Sequence, residues 1–248
     1  MTNEFSGTSA LVTGGTSGIG RATAVLLAAR GAHVVIAGRN QMRGDQVVQS
    51  IRAAGGTADF AASDLRDARS ARELAIRAVE LAGTIDVLVN NAGVFPFGAT
   101  EDTSEDDFDA VYAVNVKVPF FLVAELAPAM AARGHGAIIN VATMVSDFGM
   151  SGMSLYGSSK AALVLLTKAW SAEYGPRGVR VNTVSPGPTR TEGSAPMGDA
   201  LDQLAAAAPA GRPGTAQEIA EAVAFLASER SSFIHGALLP VDGGRIAV

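Results

Sequence analysis

Apolar residues along this chain follow two alternating rhythms. Ala10–Thr13, Val34–Ala37, Ala58–Ala61, Val87–Asn90, Ala137–Val141, Arg180–Val184 and Leu238–Val241 are short, mostly continuous and rich in β-branched residues. Longer helical patterns fill the gaps, at Gly18–Ala29, Gln41–Ala54, Ala68–Ala82, Glu105–Met130, Leu155–Tyr174 and Ala216–Ala227. Continuous apolar runs suit strands covered on both faces, and strand–helix alternation signals βαβ units and a parallel sheet. The pattern therefore predicts one doubly wound α/β domain over residues 1–248. Within Glu105–Met130 an interruption is expected near Pro119. The segment 186–213, rich in Gly, Pro, Ala and Thr, breaks the rhythm and is expected to be a loop or mobile lid over a substrate.

Composition narrows the function. Hydrophobic residues make up 48% of the 248 and charged ones 17%, a globular balance. A net charge of −5 offers no basic surface for nucleic acid or an anionic membrane. With no cysteine there is no disulfide and no thiolate chemistry, and His33, His135 and His235 lack metal-ligand spacing. The N-terminal Met1–Thr8 lacks the basic and apolar regions of a signal peptide. Val118–Met130 comes nearest to the roughly 20 residues of a membrane span, but Glu125 and Pro128 break it. A cytoplasmic protein is expected.

Two stretches carry chemistry. Thr13-Gly-Gly-Thr-Ser-Gly-Ile-Gly20 follows the first strand and opens the first helix. Gly14, Gly18 and Gly20 permit a tight turn and close approach to a pyrophosphate, with Thr16, Ser17 and Ile19 between them and helix N–H groups facing the phosphates. At the end of the second strand, Gly38 stands where an acid would hold the ribose 2′-hydroxyl of NAD, and Arg39 follows. A cation without the carboxylate favours NADP(H) over NAD(H), which stays possible. The second stretch ends in Tyr156-Gly-Ser-Ser-Lys160, which places phenol and ammonium one helical turn apart. An ammonium at that distance is expected to lower a phenol pKa of about 10 and ready it for proton transfer.

With the glycine loop, Asn90-Asn-Ala-Gly93, Asn115 and the Tyr156/Lys160 pair in this order, the chain resembles the short-chain dehydrogenase/reductase family from about Gly7 to Gly244. The resemblance implies a Rossmann-type sheet of about seven strands, nicotinamide-dependent redox chemistry at a carbonyl or hydroxyl, and a homo-oligomer, commonly a tetramer, otherwise a dimer. Tyr156 resembles the family's proton donor and acceptor, and Lys160 the residue that tunes it and holds the nicotinamide ribose. Asn115 is similar to the helix residue anchoring a relay water. Asp64 and Leu65 resemble the adenine contacts, and Asn91, Ala92 and Gly93 the turn over the adenosine ribose. Pro186 and Gly187, with Thr189 and Thr191, resemble the loop over the nicotinamide carboxamide. Leu239–Gly244 is similar to the family's last strand and turn.

Thr143 departs from the family pattern, which has serine thirteen residues before the tyrosine. Its hydroxyl can still donate to a developing alkoxide, so Thr143 is taken as the third catalytic residue ahead of Ser146. Phe95–Phe97, Met144, Val145, Phe148–Met153 and Pro188–Leu204 are expected pocket walls, suiting a largely apolar ketone or secondary alcohol of moderate size. Arg133 and Arg177 could dock an acyl carrier protein, as in 3-oxoacyl reductases. Two rival classes stay open: a non-catalytic coenzyme-binding regulator, and an isomerase, dehydratase or dehalogenase on the same fold.

Overall fold

Strand and helix alternate as the periodicity predicts. The computed structural model describes residues 3–248; Met1 and Thr2, at the head of the segment read for a targeting signal, lie outside them. The chain runs β1 (Ser9–Thr13), α1 (Gly18–Ala29), β2 (His33–Gly38), α2 (Gln41–Ala53), β3 (Thr57–Ala62), α3 (Ala68–Ala82) and β4 (Val87–Asn90). Then come α4 (Glu105–Tyr112), α5 (Val118–Arg133), β5 (Gly136–Val141), α6 (Ser154–Tyr174) and β6 (Val179–Pro186). Short β7 (Thr189–Arg190), α7 (Asp199–Ala206) and β8 (Gly214–Thr215) precede α8 (Ala216–Ala227) and β9 (Leu238–Val241). Seven strands pair in the order β3-β2-β1-β4-β5-β6-β9, every pairing parallel. This is a single Rossmann-type domain.

Strand alternation assigns each side chain to one of two cores. In β1, Ala10 and Val12 join Leu27, Ile51, Ile219 and Val223 beneath α1, α2 and α8. Leu11, between them, joins Leu74, Leu122, Met130 and Leu163 beneath α3, α5 and α6. Both faces are covered, which is why the strands read as continuous apolar runs. Helix ends are set by local chemistry. Asp67 opens α3 with a capping box, its Oδ1 accepting from Ser70 N–H at 2.7 Å. Gly134, at φ +69°, closes α5 in a left-handed turn that a side chain would disfavour.

Two expectations need correction. The interruption of the long helical stretch is a π-helical turn over Ala113–Lys117, with Pro119 in the first turn of the helix that follows. The whole run Glu105–Arg133 is long and apolar enough to span a membrane by length and composition, but half of its most apolar part is buried inside the protein, where Leu122, Leu126 and Met130 pack on the sheet. The segment 186–213 is also more than a loop. It contains α7, and β7 pairs with β8 as a separate two-stranded sheet.

β1 lies between β2 and β4, so the crossovers to either side leave at the carboxyl ends of the strands in opposite directions. Such a switch point opens a crevice.

Candidate active site

A cleft of about 510 Å³ occupies that crevice. Gly14, Thr16, Ser17, Gly18, Ile19, Arg39, Asp64, Leu65, Asn91, Ala92 and Gly93 line one half. Thr143, Tyr156, Lys160, Pro186, Gly187, Thr189 and Thr191 line the other. Residues 177 positions apart thus share one cavity, and only Gly20 and Asn115 of the expected site residues lie outside its wall.

Packing explains both exceptions. A Cβ on Gly20 would sit 2.3 Å from the Gly14 carbonyl oxygen, so this glycine lets α1 close onto the turn. Asn91 fastens the same turn, its amide donating to the Thr13 carbonyl at 2.9 Å. Asn115 is fully buried. Its Oδ1 accepts from Val94 N–H and its Nδ2 donates to Val94 C=O, both at 2.9 Å, and Nδ2 also donates to Ser159 Oγ at 3.0 Å. Ser159 Oγ in turn donates to Tyr156 C=O at 2.7 Å. The Asn115 side chain thus ties the π-turn to the segment after β4 and to α6.

At the cation end, Arg39 is joined by Asn40 and Arg43, neither anticipated from the sequence. Asn40 caps α2, its Oδ1 accepting from Arg43 N–H at 2.9 Å, and a cap three residues ahead of a basic residue was a readable signal. A Cβ on Gly38 would lie 2.7 Å from Thr16 Cγ2. Thr16 thus fills the space an acid at position 38 would need.

At the other end α6 presents Tyr156 and Lys160 together, as their spacing requires. Removal from water pushes the Tyr156 phenol up to about 12, a hydrogen bond with Thr143 acting against that rise. Burial brings Lys160 down to about 8, and its Nζ donates to the Val141 carbonyl at 2.9 Å. The expected lowering of the phenol by the ammonium is reversed in this arrangement because desolvation dominates. Ser146 donates its hydroxyl to the Thr143 carbonyl at 2.7 Å and lies outside the cleft wall, so the side chain brought to Tyr156 is that of Thr143.

Around this group the wall is apolar: Phe95, Met144, Val145, Met150, Met153, Met197, Leu201 and Leu204. Phe95 meets the Tyr156 ring edge-on at 6.3 Å between centroids. Phe97 and Phe148, both expected walls, are placed elsewhere. Phe97 lies over Gly152, and Phe148 stacks under the Arg245 guanidinium at 5.0 Å. Arg133 bonds to Ile85 C=O at 2.9 Å and to Asp86 at 3.1 Å, while Arg177 lies over the Tyr174 ring at 4.9 Å. Neither guanidinium lines the cleft; both residues lie at the surface.

Comparison with known proteins gives the same picture over the whole chain. Residues 14–245 match the family model described as enoyl-(acyl carrier protein) reductase. A 2,5-dichloro-2,5-cyclohexadiene-1,4-diol dehydrogenase from Sphingobium indicum is 38% identical, covering 98% of each chain. A solved short chain dehydrogenase/reductase family protein superposes with a TM-score of 0.91 at 48% identity, covering 99% of this chain and 100% of the other. A blue fluorescent protein from a metagenomic library, solved in complex with NADPH, superposes with a TM-score of 0.93 at 34% identity, covering 98% and 99%.

Proposed function

Because the chain belongs to the short-chain dehydrogenase/reductase family, whose members are oxidoreductases acting on alcohol and carbonyl groups with a nicotinamide coenzyme, we propose that it interconverts a largely apolar ketone and its secondary alcohol using NADP(H). The observation that carries the reading is the convergence of Thr143, Tyr156 and Lys160 at one end of a cleft whose other end is the glycine turn and Arg39.

The residues present suit a dinucleotide. The glycine turn brings main-chain N–H groups of the first turn of α1 to the cleft, where they suit a pyrophosphate. Asp64 and Leu65 line the cleft where they would flank an adenine, and Arg39 with Arg43 would supply two cations for a 2′-phosphate. Thr16 excludes an acid that would repel it. Bound there, the coenzyme supplies or accepts a hydride. The protein's part is proton handling and orientation. A phenol held near 12 is protonated at neutral pH and can give its proton to an oxygen on which negative charge is growing. The Thr143 hydroxyl donates to that same oxygen. The phenolate left on Tyr156 is stabilised by Lys160, whose pKa near 8 lets it exchange a proton close to neutrality.

Apart from Lys160, the cleft beside Tyr156 is walled by Met, Leu, Val and Phe side chains. That favours a neutral substrate such as an alicyclic ketone or alcohol, the class named for the Sphingobium relative. An acyl carrier protein substrate, suggested by the description of the matching family model, is the second reading. We place 186–213 as the lid over this pocket. Phe120 and Leu165 are exposed on α5 and α6, apolar surface that a homo-oligomer would cover.

The test follows nicotinamide absorbance with NADPH and, in parallel, NADH, over cyclic ketones, sugar-derived ketones and acyl thioesters. Turnover of a cyclic ketone with NADPH is expected, reduced about 10²–10⁴-fold in Tyr156→Phe while coenzyme binding persists. Turnover that survives in the variant would overturn the assignment of Tyr156, and turnover of thioesters alone would favour the second reading.

A further inference from the structure

Helix α1 begins without a local cap. Ser17 stands at the N-cap position and makes no side-chain cap bond, so the first turn exposes N–H groups that need an acceptor. The acceptor comes from far along the chain. Gly18 N–H donates to Glu192 Oε2 at 2.8 Å, and Glu192 Oε1 pairs with Arg21 at 2.8 Å. Thr191 presses on the same turn: a Cβ on Gly18 would lie 3.2 Å from Thr191 Cβ. The strap around Glu192 is itself folded, with Ser194 Oγ accepting from Thr191 N–H at 2.9 Å and donating to Thr189 C=O at 2.7 Å.

A carboxylate on a helix N–H and an arginine is chemically what a phosphate oxygen would be at that place. Resting on the coenzyme reading above, we infer that Glu192 is an internal phosphate mimic that latches the lid segment onto the glycine turn and must leave Gly18 before a dinucleotide can bind. Two anions cannot share the one N–H. The carboxylate has a place to go, because a groove of about 370 Å³ between α1 and α2 is lined by Glu192 together with Arg21, Arg43, Gln46 and Ser50. Its charge persists at neutral pH. Glu192 is held below the usual carboxylate range by its own main-chain N–H and then by Gly18 N–H, Arg21 and Arg43.

The latch makes the binding-competent state only a fraction of the population, and apparent coenzyme affinity falls by that fraction.

NADPH and inorganic pyrophosphate would be titrated by calorimetry into the wild type, Glu192→Gln and Glu192→Ala, with hydrogen exchange of residues 188–204 followed without nucleotide. Both variants are expected to bind NADPH about three- to tenfold tighter, the scale of a half-exposed ion pair with one charge-assisted hydrogen bond, and to exchange faster across the segment. Affinity unchanged or weakened in both variants would overturn the latch, weakening meaning that Glu192 helps to hold the coenzyme. Failure of all three folded proteins to bind NADPH would instead overturn the coenzyme reading, and the latch with it.

Discussion

Thr143 carries a methyl group that serine lacks, and a β-branched side chain is stiff at χ1. Its hydroxyl is therefore held toward Tyr156 with little freedom to lose. Thr143→Ser is expected to keep most of the turnover, and Thr143→Ala to lose about 10²-fold or more, the scale of an oxyanion donor, measured as kcat against the best ketone. Lys160 makes a second prediction, read in stability. The unfolded lysine titrates near 10.5 and the folded one near 8. Below about pH 8 both states are protonated and the penalty of burying the ammonium is fully present. Between 8 and 10.5 the unfolded chain holds a proton that the folded chain has released, so stability rises with pH in that window. The gain is on the order of 1.4 kcal/mol per pH unit, until Tyr156, whose folded pKa is raised to about 12 from 10.0, turns the trend downward. Urea midpoints from pH 7 to 10 should climb, and Lys160→Met should flatten the climb. Equal slopes in the two proteins would show that the ammonium is solvated.

At the scale of elements, the proposed preference for NADP(H) rests on the turns after β1 and β2 acting together. Thr16 on the first turn occupies the space above Gly38 on the second, so an acid cannot be added to the second turn alone. Gly38→Asp with Arg39→Leu is expected to weaken NADPH binding without creating good NADH binding, because the new Cβ meets the Thr16 methyl. Adding Thr16→Gly should let NADH bind tighter than NADPH, as measured by the Kd of each coenzyme. A full switch in the double variant would mean that Thr16 moves aside freely. That Gly38 and Arg39 stand together at the end of β2 was readable in the chain. The role of Thr16 was not, because its contact with Gly38 exists only once β1 and β2 lie side by side in register.

For the molecule as a whole, stability rests on two cores separated by a sheet that is covered on both sides. Leu122 is fully buried among residues from α3, α5 and α6. Leu122→Ala should cost about 2–5 kcal/mol in transfer and cavity terms, read as a lower urea midpoint with an unchanged slope. A loss below about 1 kcal/mol would show that α5 can settle into the space. α5 carries the π-turn at its head, so a helix that settles would also move Asn115, and the coenzyme Kd of the variant reports whether it does.

What the sequence by itself determined is the part that depends on near neighbours. Strand and helix positions follow from side-chain period, which is local, and α1, α3, β4, α8 and β9 lie where the pattern placed them. The Tyr156/Lys160 face and the glycine turn are equally local, since one turn of helix or one tight turn brings their parts together. Tertiary structure decided the rest. The π-turn at Ala113–Lys117 is set where Asn115 meets Val94 and Ser159, residues that only packing brings near. The direction of the Tyr156 pKa was misjudged because spacing reveals the ammonium, whereas desolvation depends on every element around the phenol. Glu192 reads in sequence as one acid in a loop, and only the folded chain sets it on the first N–H of α1.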